Sequence, residues 1–241
     1  MADDVGSDDL SPEALEAALP GRPFRTYPAV LSTEADAMAW ARAGGPHGAV
    51  VVAGYQASPR GRAGIPWSVP PTGALGFSML LCPTLGPERE GWLYVVGLAA
   101  LADVCGAFCT IAWPDTVRRG DRVLGELAVQ TDVAPGGVGW AVMSLLMRDA
   151  PSPRGPLLAR LVDAVMSRAE QSADVVLAAV RARCETIGGT VRARVLPLGP
   201  RGIVVEGTAT DLNDEGSLVV QTAPDRCQPV RPQDLGMLDA R

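Results

Sequence analysis

The sequence has 241 residues, of which 47% are hydrophobic and 20% are charged, and its formal net charge is −6 at neutral pH. A chain of this length and composition can bury a substantial core, as one large domain or as one domain with a smaller second one. The negative net charge argues against a nucleic-acid-binding protein and against a protein drawn to anionic membranes.

The basic and sulfur-containing side chains narrow the chemistry further. All 21 cationic residues are arginine, so no step that requires a neutral amine can use a lysine. With one histidine, His47, which we expect in a surface turn, the sequence predicts no zinc site of histidine and cysteine ligands. The five cysteines suggest no disulfide framework, and we expect buried structural thiols, with Cys105 and Cys109 on one face of a helix.

The N-terminal stretch is polar and acidic, and it contains no apolar signal segment. No apolar run approaches the roughly 18 residues that a membrane-spanning helix needs, so we expect a cytoplasmic protein without a membrane anchor. Residues 1–9 are expected to be disordered. The segment SPEALEAAL (11–19) predicts a short helix, with Ser11 at its N-cap and Pro12 in its first turn.

Two continuous apolar runs, GAVVVAGYQ (48–56) and ALGFSMLLCP (74–83), predict buried strands. The stretch between them is rich in proline and glycine and predicts a loop over 58–73. Before the first strand, an extended segment leads into a helix that Ser32 or Thr33 is expected to cap.

The rest of the chain predicts a helix at 88–108, a short strand at 109–114, a hairpin from 122–130 and 139–149, and two helices within 152–188. From residue 188 onward, apolar and polar residues alternate between turn signals, which is typical of an SH3-like barrel. The predicted fold is therefore α+β. It comprises a flexible N-terminus with a short helix (1–20), a mixed or antiparallel sheet with helices (21–187) and a small SH3-like β domain (188–241).

Six short motifs follow one another along the chain. They are STE (32–34), VVVAGYQ (50–56), SPRGRAGIPW (58–67), GALGFSMLL (73–81), AWPDT (112–116) and RVLGEL (122–127). Their order and spacing resemble the biotin–protein ligases that lack an N-terminal DNA-binding domain, over about residues 25 to 240. The family patterns are S-T-N, A-x-x-Q-x-x-G-R-G-R-x-G-R-x-W, K-W-P-N-D and K-x-x-G-I-L. The resemblance implies that ATP activates the carboxylate of biotin as an acyl-adenylate, which is then passed to a lysine of a carrier domain.

The resemblance also implies a set of substrate-binding residues. Ser32, Thr33 and Gln56 match the positions that recognise the ureido group of biotin, whereas Glu34 replaces an asparagine. A carboxylate cannot donate a hydrogen bond as an amide can, so recognition of the ureido group is altered there. In the loop that covers the adenylate, the matching residues are Arg60, Gly61, Arg62, Gly64 and Trp67, and Pro59 and Ile65 depart from the pattern.

The motifs that face ATP in the family are the most altered. Arg62 is the candidate to contact the acyl-phosphate, and Arg122 stands where the second motif lysine would be; these two are the predicted catalytic residues. Trp113 and Asp115 are the predicted nucleotide-binding residues, and Asp115 can help to hold Mg²⁺. Ala112 replaces the first lysine and Thr116 replaces an aspartate. The apolar segment VMSLLMRD (142–149), which includes Met147, stands where the family pattern is G-x-G-x-N.

Three functions remain open from the sequence. The first is a catalytically retired or weakly active relative that binds a small carboxylic acid, or a biotin-carrier or carboxylase subunit. The second is an active ligase that uses ATP and Mg²⁺ to couple biotin or a related acid to an amine. The third is the same scaffold with different chemistry. Family members pair through an exposed sheet edge, so a homodimer is possible, and Arg192, Arg194 and Arg201 can meet an acidic partner.

Overall fold

The computed structural model of this chain describes residues 8–70, 73–199 and 202–240. The expectations for residues 1–7 and for Arg201 lie outside these ranges. The helices are α1 (Pro12–Ala18), α2 (Thr33–Arg42), α3 (Trp92–Cys105), α4 (Gly155–Glu170) and α5 (Ala173–Arg181). Short 3₁₀ helices span Asp8–Leu10, Arg62–Gly64 and Pro87–Arg89.

The strands form two sheets. The first contains β1 (Phe24–Val30), β2 (Val50–Gln56), β3 (Leu75–Leu81), β4 (Thr110–Ala112), β5 (Thr116–Arg119), β6 (Arg122–Ala134) and β7 (Gly137–Met147). The second contains β8 (Thr190–Val195), β9 (Val204–Leu212), β10 (Leu218–Ala223), β11 (Arg226–Val230) and β12 (Leu235–Ala240).

The first sheet has the order β1-β2-β3-β7-β6-β5-β4, and only its β1–β2 pair is parallel. One face packs on α3, a helix that is buried from Trp92 to Ala102, and α4 and α5 lie behind it. The other face is partly covered by α2, through a small cluster that includes Ala37, Leu80 and Val142. The expected mixed sheet with helices on its faces is therefore confirmed.

The pairing between β2 and β3 is short. It joins Val50–Val52 to Phe77–Met79, although both strands continue beyond these residues. The amide of Gln56 fills part of the gap, and its Nε2 lies 2.6 Å from where a β-carbon on Gly76 would be. A side chain at position 76 would therefore displace this amide.

The N-terminal segment packs onto the first sheet's helical layer. Leu10, Leu15 and Leu19 are buried in the main core, and Ser11 caps α1 as predicted, because its Oγ accepts a hydrogen bond from the Ala14 amide. The expected disorder was wrong for Asp9, since its carboxylate forms a buried ion pair with Arg154 at 2.7 Å.

Two expectations about cysteine were also wrong. α3 ends at Cys105, and Gly106 has a positive φ of 89°, so Cys109 lies outside the helix rather than on its face. The Cys109 thiol donates instead to the carbonyls of Ala102 and Gly106, at 3.4 and 3.0 Å. Cys82 and Cys227 are exposed rather than buried.

The second sheet is antiparallel, in the order β11-β10-β9-β8-β12. It packs closely on the first sheet and its helices. The turn at Gly216 lies directly against the backbone of Gly91, just before α3. The Trp113 indole Nε1 donates to the Gly216 carbonyl at 3.3 Å, and Arg181 pairs with Asp211 at 2.6 Å. Across the described residues, the helices are all too short or too polar to cross a membrane.

Replacing Gly216 with alanine should destabilise the protein by about 3 kcal/mol. Gly216 has a φ of 86°, and a methyl group there would overlap the carbonyl oxygen of Gly91. Urea unfolding would measure the loss. Gly136→Ala is the matched control, because a β-carbon at that position has open space around it. Equal stability of the two variants would contradict the close contact between the Gly216 turn and the start of α3.

Candidate functional site

A pocket of about 210 Å³ opens where β2 and β3 stop pairing, and we name it the β2–β3 pocket. Its walls are formed by the end of β2, the loop that follows, and the start of β3. Tyr55, Pro59, Trp67 and Leu146 provide apolar and aromatic surface, while Gln56 and Arg154 are polar. Such a pocket suits a compact ligand with an apolar body and few polar groups.

A chain of buried hydrogen bonds fixes the side chain of Gln56. Its Oε1 accepts from the Thr33 amide at 2.9 Å and from the Thr33 hydroxyl at 3.0 Å. Thr33 Oγ1 lies 2.9 Å from Ser78 Oγ, which lies 2.8 Å from Ser144 Oγ. Each hydroxyl has one hydrogen, so Ser78 must donate to Thr33, and Ser144 to Ser78. Gln56 is therefore held with its NH₂ group as the part available to a ligand.

Ser32 and Glu34 flank this arrangement at the start of α2. Ser32 occupies the N-cap position, is buried, and makes no side-chain cap hydrogen bond. Glu34 is only 8% exposed, and its Oε2 has no hydrogen-bond partner among the described residues. Burial raises the pKa of the Glu34 carboxyl, and the charge of Arg60 partly opposes that rise. The ionised carboxylate of Glu34 therefore destabilises the folded protein unless it takes up a proton or accepts a hydrogen bond.

The loop from Pro59 to Trp67 folds back on itself as a small hairpin. The Gly61 amide donates to the Ile65 carbonyl at 2.7 Å, and the Trp67 amide donates to the Pro59 carbonyl at 3.0 Å. The Trp67 indole lies over Gly61, where a β-carbon would come within 2.5 Å of its Nε1. Gly61 thus leaves room for Trp67, and Arg60 is exposed.

Arg62 points inward from this loop and is 9% exposed. Its Nε donates to Asp115 Oδ2 at 2.8 Å, and its Nη1 donates to the carbonyl of Leu235 in β12. The other oxygen of Asp115 accepts from the Thr116 hydroxyl at 3.1 Å. Arg62 and Asp115 therefore satisfy each other, and among the described residues we find no acidic, histidine or cysteine cluster suited to a metal ion.

A second cavity of about 490 Å³, which we name the inter-sheet cleft, lies between β4–β5 and the second sheet. Arg62, Ala112, Trp113 and Asp115 line it, together with an ion pair of Arg118 and Glu185. Trp113 is buried, and its backbone amide donates to the Thr186 hydroxyl at 3.0 Å. The predicted nucleotide-binding pair thus lies at one cleft, where Ala112 contributes no charge.

Arg122 lies apart from the other predicted site residues. It begins β6 next to the turn at Gly120, its side chain is 68% exposed, and it pairs with Asp149. It contributes to the lining of neither the β2–β3 pocket nor the inter-sheet cleft. The structure brings Thr33, Gln56 and Trp67 together, and Arg62 with Asp115, but it leaves Arg122 outside both groups.

Several residues at the site were not predicted from the sequence. Ser78 and Ser144 are single hydroxyls in apolar strands, a pattern that signals a buried polar contact. Arg154 and the pair of Glu126 and Arg148 gave no comparable signal, because their partners are distant in sequence. Arg148 also donates to the Ser68 carbonyl at 2.6 Å, which ties the pocket's loop to the sheet.

Glu34→Gln should change the pH dependence of stability. The folded-state pKa of Glu34 is raised, so ionisation costs more in the folded protein than in the unfolded chain. The wild type should therefore lose stability relative to the variant as pH rises above the usual carboxyl range, and the two should converge at lower pH. Urea unfolding at several pH values tests this, with the exposed Glu16→Gln as control. A constant difference across pH would refute the buried, ionisable role of Glu34.

Similarity to known proteins is found when structures are compared, and not when sequences are compared. No protein-family model matches the sequence, and no curated protein matches it either.

Several solved structures share the architecture. Biotin protein ligase from Aquifex aeolicus, in complex with biotin and ATP, aligns with a TM-score of 0.68 at 16% identity, covering 91% of this chain and 99% of that one. A biotin protein ligase-like protein of unknown function from a Silicibacter species aligns with a TM-score of 0.64 at 14% identity, over 89% and 96% of the two chains.

The biotin acetyl coenzyme A carboxylase synthetase of Helicobacter pylori, with bound biotinylated ATP, aligns with a TM-score of 0.57 at 16% identity, over 87% of this chain and 100% of that one. The fold implied by the sequence motifs is confirmed: this chain has the fold of the biotin protein ligases.

Proposed function

We propose that this protein is a catalytically retired or weakly active relative of the biotin protein ligases, which binds a small carboxylic acid in the β2–β3 pocket. The observation that carries the proposal is the state of Arg62. The arginine expected to contact an acyl-phosphate is instead paired with Asp115 and bonded to the Leu235 carbonyl.

The pocket supports binding of a neutral ring with a carbonyl group. The fixed NH₂ group of Gln56 can donate to a carbonyl oxygen, and Trp67 and Leu146 can cover an apolar ring. Biotin has both features, and biotin is present in the Aquifex aeolicus structure.

The supply of positive charge argues against efficient adenylation. Transfer of a phosphate-bearing group needs preorganised cations, and each such group contributes several kcal/mol to the transition state. Ala112 and Thr116 carry no positive charge. Arg122 pairs with Asp149 on the surface, and Arg118 pairs with Glu185. The cations that remain near the inter-sheet cleft are thus already matched by carboxylates.

The second candidate is an active ligase that uses ATP and Mg²⁺ to join the acid to an amine. One observation favours it: two guanidinium groups, of Arg62 and Arg118, line the inter-sheet cleft. In that function the cleft would hold the nucleotide, and Asp115 would have to leave Arg62 before it could contact Mg²⁺. The carboxylates that line the cleft, those of Asp115 and Glu185, are therefore already paired with arginines and not free to coordinate Mg²⁺.

Further parts of the proposal concern organisation and partners. We take residues 21–187 as the ligase-like domain and 188–241 as an SH3-like barrel built from strands β8 to β12. A biotin-carrier domain or a carboxylase subunit is the partner that this fold suggests, in the cytoplasm. A homodimer through a sheet edge remains part of the hypothesis.

ATP–pyrophosphate exchange tests the catalytic part. With biotin and a panel of small carboxylic acids, we expect a rate at least about a thousandfold below that of an active ligase, because two or more phosphate-facing cations are lost or paired. An active biotin protein ligase assayed in parallel is the control. Exchange at a comparable rate with any acid would favour the active-ligase candidate.

Binding of the acid tests the other part. Biotin and the same panel should be titrated by calorimetry without ATP, and at least one acid should bind. Ala57→Phe should weaken that binding by about tenfold or more, because Ala57 is exposed and lines the β2–β3 pocket. Ala29→Phe, an exposed change on β1 outside the pocket, should leave it unchanged. Equal effects of the two variants would place the ligand elsewhere.

A further inference from the structure

A separate apolar pocket lies at the opposite end of β2 and β3, and we name it the α3–α4 pocket. It has a volume of about 280 Å³ and is enclosed by the start of α3, the end of α4 and the segments before β2 and after β3. Leu81, Trp92, Leu93 and Val96 form a floor that belongs to the buried core. This floor offers an apolar surface deep enough to receive a ring.

Polar groups occur at the rim. His47 and Glu170 both line the pocket and are exposed. The Cys82 amide donates to His47 Nδ1 at 2.9 Å, so the neutral imidazole carries its proton on Nε2. At the rim, the Nε2–H of His47 is a donor and the carboxylate of Glu170 is a strong acceptor, and the exposed Thr84 hydroxyl can act as either.

The walls of the pocket are held in place before any ligand arrives. The Gly48 amide donates to the Leu80 carbonyl at 2.7 Å, and the positive φ of Gly48, 79°, fixes the turn that carries His47. On the other side, the Val138 amide donates to the Leu85 carbonyl at 3.0 Å. A preformed pocket needs little ordering when it binds, which favours small ligands that contribute few contacts.

We propose that the α3–α4 pocket binds a small aromatic molecule that carries a primary amide. The volume admits a single ring and excludes a peptide helix or strand. An amide oxygen can accept from His47, and an amide nitrogen can donate to Glu170. A carboxylate has the same shape but lacks the donor, and it would place a second negative charge near Glu170 in a chain of net charge −6. This inference is independent of the function proposed above.

The single histidine makes the test direct. Protein labelled with ¹⁵N-histidine should be titrated at neutral pH with benzamide and, separately, with benzoate, while the imidazole resonances of His47 are followed by NMR. Benzamide should produce a saturable shift, and benzoate should bind at least about tenfold more weakly, since it loses a hydrogen bond to a charged group. Glu170→Gln should reduce the difference in affinity between benzamide and benzoate. Glutamine removes the repulsion between the two carboxylates, and its amide can donate a hydrogen bond to benzoate.

A pair of variants on α4 locates the ligand. Ala169→Phe places a ring at the mouth of the pocket from an exposed position, and it should abolish the benzamide shift. Ser167→Phe is the matched control, an exposed change on the same helix outside the pocket lining, and it should bind benzamide as the wild type does. The inference is overturned if benzamide gives no saturable shift, if benzoate binds as well as benzamide, or if Ala169→Phe retains the shift.

Discussion

The guanidinium of Arg62 joins three segments that are far apart in the sequence. It leaves the loop after β2, pairs with Asp115 between β4 and β5, and donates to the Leu235 carbonyl in the second sheet. Arginine can do this because its planar fork presents several donors at fixed angles, and because it stays charged when buried. Arg62 therefore links the position of the loop, the shape of the inter-sheet cleft and the placement of the second sheet, which Trp113 and Arg181 also hold.

This arrangement separates the two ends of the candidate site chemically. The β2–β3 pocket has mostly apolar walls, one fixed amide and the guanidinium of Arg154, which is paired with Asp9, so it is suited to the neutral ring of a small acid. The inter-sheet cleft contains charges that are already matched, Arg62 by Asp115 and Arg118 by Glu185. A ring that packs on the apolar walls and accepts from Gln56 does not have to displace a carboxylate from its cation, whereas a phosphate in the cleft must compete with a carboxylate for each cation.

The sequence predicted the features that depend on local pattern. The apolar runs located β2 and β3, the periodicity located α4, and the motif order indicated the fold that the solved structures confirm. It placed Gln56 beside Thr33 only through a resemblance, and the isolated hydroxyls of Ser78 and Ser144 indicated buried polar contacts without indicating their partners. Those contacts join different strands, and a pattern along one strand carries no information on its neighbour across the sheet.

Charged partners were the hardest to foresee. Asp9 and Arg154 are separated by 145 residues, and Arg62 and Asp115 by 53. Motif matching assigned Arg62 and Arg122 the same kind of role, yet one is buried in an ion pair and the other lies at an exposed hairpin. The identity of a side chain fixes its charge, but only the folded chain fixes which opposite charge it meets.

The ordered hydroxyls behind Gln56 have an electronic consequence. Ser144, Ser78 and Thr33 all donate in the same direction, toward Gln56 Oε1. Hydrogen bonds in such a series polarise one another, and a carbonyl that accepts strongly withdraws electron density from its own amide nitrogen. The NH₂ group of Gln56 should then be more acidic than that of an ordinary glutamine, which makes the β2–β3 pocket selective for the more basic carbonyl oxygens, such as those of ureas and amides over those of esters.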